Sequence, residues 1–272
     1  IEFEISFPSY NFDTNDLLSS KTNSILSKKE KYIFKNKLKK LTLSFLDKNS
    51  NYSLDNVLKK VNKLDHKFYT FKRNNIDQLP KLISLCKNLG TLNFSILARH
   101  GFVAKSFLNS IKNKKILSEL EIEKFEQSLN TITKKMLIDL SLVENKKMSS
   151  KQFMSKYGHL RPGSYDINSL RYDQSKNFNF KVKNLKKTKA NFSLSKKQIK
   201  KIDKILTKEK FENIDALSFF KYLADAISLR EYSKFIFTKY LSKILEIIAD
   251  YGKRNNLIRR DLSNLNINNF LN

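Results

Sequence analysis

The sequence predicts a mainly α-helical protein: a multi-helix domain with a short N-terminal β-strand and a long functional loop around residues 158–192. Three observations carry this. Five Gly and three Pro in 272 residues are far too few for a turn-rich β protein. Apolar residues recur at helical spacing along most of the chain. Capping-box patterns stand in front of two of the apolar runs. With 40% hydrophobic residues, including 21 Phe and 11 Tyr, the chain has material for a real core.

The elements follow in order. Ile1-Glu2-Phe3-Glu4-Ile5-Ser6-Phe7 alternates like a half-buried strand. A chain that opens in a strand and without Met reads as a segment of a longer polypeptide. Residues 8–24 read as loop with one helical turn. Residues 26–46 place Ile33, Phe34, Leu38, Leu41 and Phe45 on one helical face. Ser53-Leu54-Asp55-Asn56 starts a helix with Val57, Val61 and Leu64 inward. Pro80 opens a short helix ending near Gly90, and residues 91–112 form the next. Ser118-Glu119-Leu120-Glu121 caps a helix running to about residue 144, and another short one precedes Gly158. From residue 158 to 192 helical period is absent, so this is a long loop, partly mobile. Ser195-Lys196-Lys197-Gln198 is a second capping box. Residues 215–254 form a long helix whose stripe is Leu217, Phe220, Ala224, Ile227, Tyr232, Phe235, Ile236, Tyr240, Ile244, Ile247 and Tyr251. Gly252 and a polar run stop it, and short helical turns close the chain around 259–271. With no internal repeat and no clear linker, residues 1–272 read as one helical domain.

The net charge of +27, from 53 basic and 26 acidic residues, invites a nucleic-acid reading. Yet only eight of the basic residues are Arg, and there are 29 Asn, the signature of an AT-rich coding sequence. Nucleic-acid readers lean on the planar guanidinium instead. The densest lysine runs, Lys28 to Lys40 and Lys181 to Lys189, therefore read first as solvated helix faces and a basic loop. A phosphate-rich polymer or an acidic partner domain are the alternatives. No run approaches the roughly 18 apolar residues of a membrane span. Cys86 is alone, so no internal disulfide is possible, and there is no secretory signal. A cytoplasmic location is expected. One Cys and three scattered His give no metal-ligand spacing.

The rare residue types concentrate in two places. Gly90, Arg99, His100 and Gly101 form one. On a helix Arg99 and His100 sit on or beside the stripe of Ile96 and Val103. Either Arg99 pairs with an acidic residue and His100 is a satisfied core histidine, or both face a phosphate or polar substrate. The second place is Tyr157-Gly158-His159-Leu160-Arg161-Pro162-Gly163-Ser164-Tyr165-Asp166-Ile167, followed by Arg171-Tyr172-Asp173. Gly158 ends a helix, and Pro162-Gly163 fits a tight turn with Gly at positive φ. Imidazole, guanidinium, phenol and carboxylate within eight residues make a polar site. The alternative is a self-satisfied loop with Arg161 paired to Asp166.

This second string resembles a motif of phosphoenolpyruvate synthase-like phosphotransferases, especially a subgroup reading Tyr-Gly-His-Leu-Arg-Pro-Gly-Thr-Tyr-Asp-Ile, with Ser164 in place of Thr. Supporting likenesses are Gly90-Thr91-Leu92 through Arg99, Glu2-Phe3-Glu4-Ile5, Arg230-Glu231-Tyr232-Ser233-Lys234-Phe235 and Arg260-Asp261-Leu262-Ser263. The resemblance spans nearly the whole chain. It implies a central helical domain, similar to that of rifampicin phosphotransferases, which binds a small-molecule acceptor. The partner domains it implies, an ATP-grasp domain binding ATP and Mg2+ and a swivelling phospho-histidine domain, are not in this sequence, and this segment itself holds no cofactor. It further implies catalytic roles for His159, Arg161 and Asp166, and substrate or phosphate binding by Arg99, His100, Tyr165 and Arg171. Gly158, Pro162 and Gly163 shape the turn. Alone, the segment is expected to be inactive. The competing classes are a lysine-rich helical nucleic-acid-binding module, which would bind with steep salt dependence, and an inert helical spacer.

Overall fold

A computed structural model describes residues 7–22, 25–71, 75–176, 178–179, 191–211 and 214–270. Among these residues the protein is mainly helical, with no strand. The strand expected at the N-terminus is not seen: residues 1–6 lie outside the described residues, and Phe7 is irregular, its ring edge-on to Phe34. The helices are α1 (Thr14–Lys21), α2 (Lys28–Leu46), α3 (Leu54–Phe68), α4 (Leu79–Leu85), α5 (Leu92–Asn113), α6 (Glu119–Ser128), α7 (Ile132–Glu144), α8 (Ser150–Tyr157), α9 (Lys196–Lys208), α10 (Ala216–Arg254) and α11 (Arg259–Leu262). Single 3-10 turns cover Ile76–Gln78, Tyr172–Gln174 and Ile267–Phe270.

The described residues group into two compact units. The first takes residues from 1–57, 96–130 and 188–230. Its core is aromatic: the rings of Phe12, Phe107, Phe211 and Phe219 meet one another edge-on or tilted, and Leu108, Ile111, Ile202, Leu206 and Leu223 close around them. Each of these rings buries a large apolar area and gains from edge-to-face geometry. Capping boxes at Ser118 and Ser195 fix where α6 and α9 begin, because each serine accepts an orphan backbone N–H and its acidic or amide partner reaches back. α2 buries less than its pattern suggested: Leu38 and Phe45 pack on the core, but Ile33, Phe34 and Leu41 are exposed.

The second unit takes residues from 58–95, 131–187 and 231–272. Val61, Leu64, Leu79, Leu82, Phe153, Tyr157, Ile236, Tyr240 and Ile247 form its buried interior.

Three expectations change. Gly90 does not end a helix. It lies in a π-helical stretch, Cys86–Thr91, that joins α4 to α5 without a break. An added Cβ there would touch Leu64 and Phe237 at 3.4 Å each, ordinary contact, so the position lies against packed side chains rather than at a helix end. The helix expected from 118 to 144 is two helices. Leu129 turns extended and sinks into the first unit's core, and Thr131 caps α7 by accepting from the Lys134 N–H. The α10 stripe is also rotated at its start. Leu217 is exposed, and Phe219 and Leu223 take the buried positions because Phe219 completes the aromatic cluster. Tyr251, the last residue of the expected stripe, is exposed as well. Residues 158–176 are irregular apart from their 3-10 turn, and 177 and 180–190 lie outside the described residues.

Candidate functional site

The 158–176 segment starts where α8, capped at Ser149 with Gln152, runs out at Tyr157. Its two ends pair: Tyr172 N–H donates to the Leu160 carbonyl at 2.8 Å, and Asp173 N–H to the Gly158 carbonyl at 3.3 Å. That approach explains Gly158, whose backbone is right-handed helical. An added Cβ would sit 2.4 Å from the Met154 carbonyl oxygen and 2.8 Å from the Asp173 Cβ. Gly163 likewise does not adopt the positive φ expected of it; none of the glycines does. Its space is taken by Asp166 and Ser169, whose Cβ atoms would lie 3.1 and 3.2 Å from an added one. Both glycines serve close approach of backbone to neighbours. Gly158→Ala is therefore expected to cost about 1–3 kcal/mol, as overpacking does. Gly101→Ala is expected to be neutral or stabilising, since only the flexible Arg230 side chain crowds that mid-helix site. Urea unfolding of the two variants side by side checks this; equal effects would refute the close-approach account.

Arg161 is 5% exposed and lies at the centre of a polar network. Its Nη2 donates to Glu246 Oε1 at 2.9 Å and to Ser242 Oγ at 3.0 Å. Its Nη1 donates to the carbonyls of Ser169 at 3.0 Å and Asp166 at 3.4 Å. In the alternative reading Arg161 pairs with Asp166; here its carboxylate partner is Glu246, and Asp166 offers only its backbone oxygen. The other oxygen of Glu246 accepts from Gln174 at 2.6 Å and from Arg259 at 2.8 Å, and Arg259 also donates to the Ile167 carbonyl. Burial would raise the Glu246 carboxyl, but the hydrogen bonds from Arg259, Gln174 and Arg161 hold it below its ordinary value. Two guanidinium groups on one buried carboxylate therefore pin the carbonyls of 166, 167 and 169. Glu246, Arg259 and Gln174 were missed in the sequence, although a lone acidic residue inside Ile244-Leu245-Glu246-Ile247-Ile248 is a legible sign of a buried ion pair.

His159 is half-buried, with Nε2 3.3 Å from the Phe235 carbonyl and its ring edge-on to Phe235. Burial, then the charge of Lys239, pushes its pKa down to about 3, so the ring is neutral at physiological pH. Tyr165 is 66% exposed. Asp166 is exposed and accepts from the Asn168 N–H. Arg171 holds Asp173 through Nε at 2.9 Å and Nη2 at 2.5 Å. Pro162 is exposed at the turn.

Of the other cluster, Arg99, His100 and Gly101 belong to the first unit and Gly90 to the second, and the Arg99 and His100 side chains have different partners. Arg99 is exposed and donates to the Pro8 carbonyl at 2.8 Å. His100 is fully buried between Tyr222 Oη, 2.9 Å from Nδ1, and the Tyr52 carbonyl, 2.8 Å from Nε2. Burial lowers its pKa. Among the open readings, the satisfied core histidine describes His100; Arg99 has a carbonyl rather than a carboxylate.

Within the second unit a cleft of about 230 Å³ opens beside the 158–176 segment. Its apolar wall is Ile132, Met136, Tyr157, Leu160 and Phe235, and Thr133, Ser164, Glu231, Lys234 and Thr238 add polar groups. Glu231 also accepts from the Thr133 N–H, at 3.5 Å, near the start of α7. Such a cleft, mostly apolar with a few convergent polar groups, suits a small organic ligand. Among the described residues no group of three or more His, Cys, Asp or Glu could hold a metal ion, and no helix is long and apolar enough to cross a membrane. Comparison with family models, curated proteins and solved structures gave no match.

Proposed function

We propose that the second unit is the acceptor-binding part of an ATP-dependent phosphotransferase of the phosphoenolpyruvate synthase-like type. One observation carries the reading. Two separate stretches of the resemblance, Tyr157–Ile167 and Arg230–Phe235, line the same cleft: Tyr157, Leu160 and Ser164 from one, Glu231, Lys234 and Phe235 from the other. These stretches, about 70 residues apart in sequence, meet at one cavity, where a bound ligand would touch both. In this reading ATP and Mg2+ bind a domain outside the 272 residues, and a phospho-histidine domain delivers the phosphoryl group.

Phosphoryl transfer asks the protein mainly to position the reactants and to stabilise charge. The cleft holds the apolar body of an acceptor that carries a hydroxyl group. The hydroxyl oxygen forms the new bond to phosphorus as the phosphorus–nitrogen bond to the carrier histidine breaks and its electron pair returns to the imidazole, and the hydroxyl proton passes to Asp166, the exposed carboxylate two residues beyond Ser164. Arg171 faces the phosphoryl oxygens with the N–H groups that Asp173 leaves free. Arg161 and His159 act as positioning residues: one holds the segment's carbonyls, the other packs it on Phe235. Arg99 and His100 have no part in this site.

A cleft-filling variant tests the proposal. In the intact polypeptide Met136→Trp is expected to reduce transfer to hydroxyl acceptors at least about tenfold while leaving ATP-dependent, acid-labile histidine phosphorylation unchanged. Equal loss of both steps, or loss of neither, would sink it.

A further inference from the structure

Between residues 235 and 246, α10 presents one stripe to the 158–176 segment. The Phe235 carbonyl meets His159, Ser242 meets Arg161, and Glu246 meets Gln174 and Arg161. Helical spacing places Lys239 and Lys243 on and at the margin of that stripe. Arg171 joins the same network from the loop, its backbone N–H donating to Gln174 Oε1 at 3.3 Å, and Gln174 in turn donating to Glu246. Lys243, three residues before Glu246 on α10, and Arg171, bonded to Gln174 on the loop, therefore flank the Glu246 network from helix and loop.

The charges there do not balance. Lys239 is paired with Asp65 at 2.7 Å, and Arg171 with Asp173. Arg161 and Arg259 share the single carboxylate of Glu246, which leaves one positive charge over. Lys243 is half-buried, and among the described residues no carboxylate lies within ion-pair distance of it. Desolvation and then the charge of Arg171 lower its pKa, and Asp250, two helical turns on, only partly offsets them. A half-buried ammonium without a counter-charge, at the edge of a network with more positive than negative groups, is an unfavourable arrangement that an anion would relieve. Arg171 is equipped to receive one, because Asp173 engages only Nε and Nη2 and leaves Nη1 to donate.

We propose that Arg171 and Lys243 form an oxyanion-binding pair that holds a phosphoryl group at the loop side of α10. The assignment of the anion as phosphoryl rests on the phosphotransferase reading above; Lys243 is a residue that the resemblance does not indicate. The pair is connected to the acceptor cleft through the loop, since Tyr172, next to Arg171, bonds the carbonyl of cleft-lining Leu160.

Calorimetric titration of the 272-residue chain with inorganic phosphate tests the pair, with sulfate, acetate and chloride at matched ionic strength beside it. Saturable phosphate binding is expected, weakened about tenfold or more by Lys243→Met and by Arg171→Gln, the loss of one charge-assisted contact each. Lys151→Met, at an exposed lysine of α8, is expected to leave it unchanged. Thermal unfolding of each variant confirms the fold, and Lys243→Met alone decides if Arg171→Gln does not fold. Absence of saturable binding, equal weakening by Lys151→Met, or equal binding of chloride would overturn the pair. Preference for acetate over phosphate would overturn the phosphoryl assignment and give the site to a carboxylated acceptor. Each of these leaves the cleft untouched, because Met136→Trp reads acceptor transfer separately. Failure of Met136→Trp, in turn, leaves the phosphate titration readable.

Discussion

Glu246→Gln is expected to destabilise the second unit by about 3–5 kcal/mol, the largest effect of any single substitution in the network. The carboxylate is 4% exposed and receives Arg161, Arg259 and Gln174. The amide keeps the shape and some hydrogen bonds but leaves Arg161, also buried, without a counter-charge. A guanidinium cannot shed its proton to escape that cost. The pinned carbonyls of Asp166, Ile167 and Ser169 lose their donors together, so disorder in the 158–176 segment should accompany the loss. Replacing both members, as Arg161→Met with Glu246→Leu, is expected to recover most of the stability, since two apolar side chains need no desolvated charges. Urea unfolding reads both variants. A Glu246→Gln loss below about 1 kcal/mol, the range of exposed pairs, would contradict the account.

The same network shows what the sequence could and could not disclose. Helix starts were legible at two capping boxes, though not at Thr131, whose side chain caps α7 inside what read as one helix. Ser118 with Glu121 and Ser195 with Gln198 begin helices at the expected residues, because the signal lies within four positions. The joining of α4 to α5 was not legible. Gly90 looks like a helix terminator until Leu64 and Phe237 are seen against it, and those contacts come from distant parts of the chain. For the same reason Gly163 was expected in a turn at positive φ and serves a tight contact instead, while Gly158 follows the last residue of a helix as expected and also serves close approach. At the candidate site, composition found the right segment, since histidine, arginine and glycine are rare in this chain. Roles within it depend on partners that no local pattern names. Arg161 looked available for a ligand, and its partner lies 85 residues away on α10. The cleft depends on α7 and α10 meeting the loop, and none of Ile132, Thr133 or Met136 carries a signal in sequence.

The stability of the second unit is expected to fall as pH drops below about 6.5, and His159 is a main reason. Its pKa in the folded protein is about 3, against an ordinary value of 6.5. Between those values the unfolded chain binds the proton and the folded one does not, so stability rises with pH through this window and is complete above it. The slope is on the order of 1.4 kcal/mol per pH unit, or about 2–3 kcal/mol lost at pH 4.5. Burial and the charges of Lys239 and Arg171 oppose protonation of the ring and outweigh the backbone hydrogen bonds of Phe235 and Lys156, which favour it. His100, buried in the first unit with its pKa also lowered, adds acid sensitivity that remains in a His159 variant. The measurement is therefore a difference: His159→Gln should flatten the acid limb between pH 6.5 and 4.5 relative to the parent chain. Activity carries a matching consequence. With His159 neutral and held on Phe235, the rate of phosphoryl transfer should show no ionisation of His159 near 6.5. A ring titration near 6.5, followed by nuclear magnetic resonance, would return His159 to the role of general base and remove it from that of positioning residue.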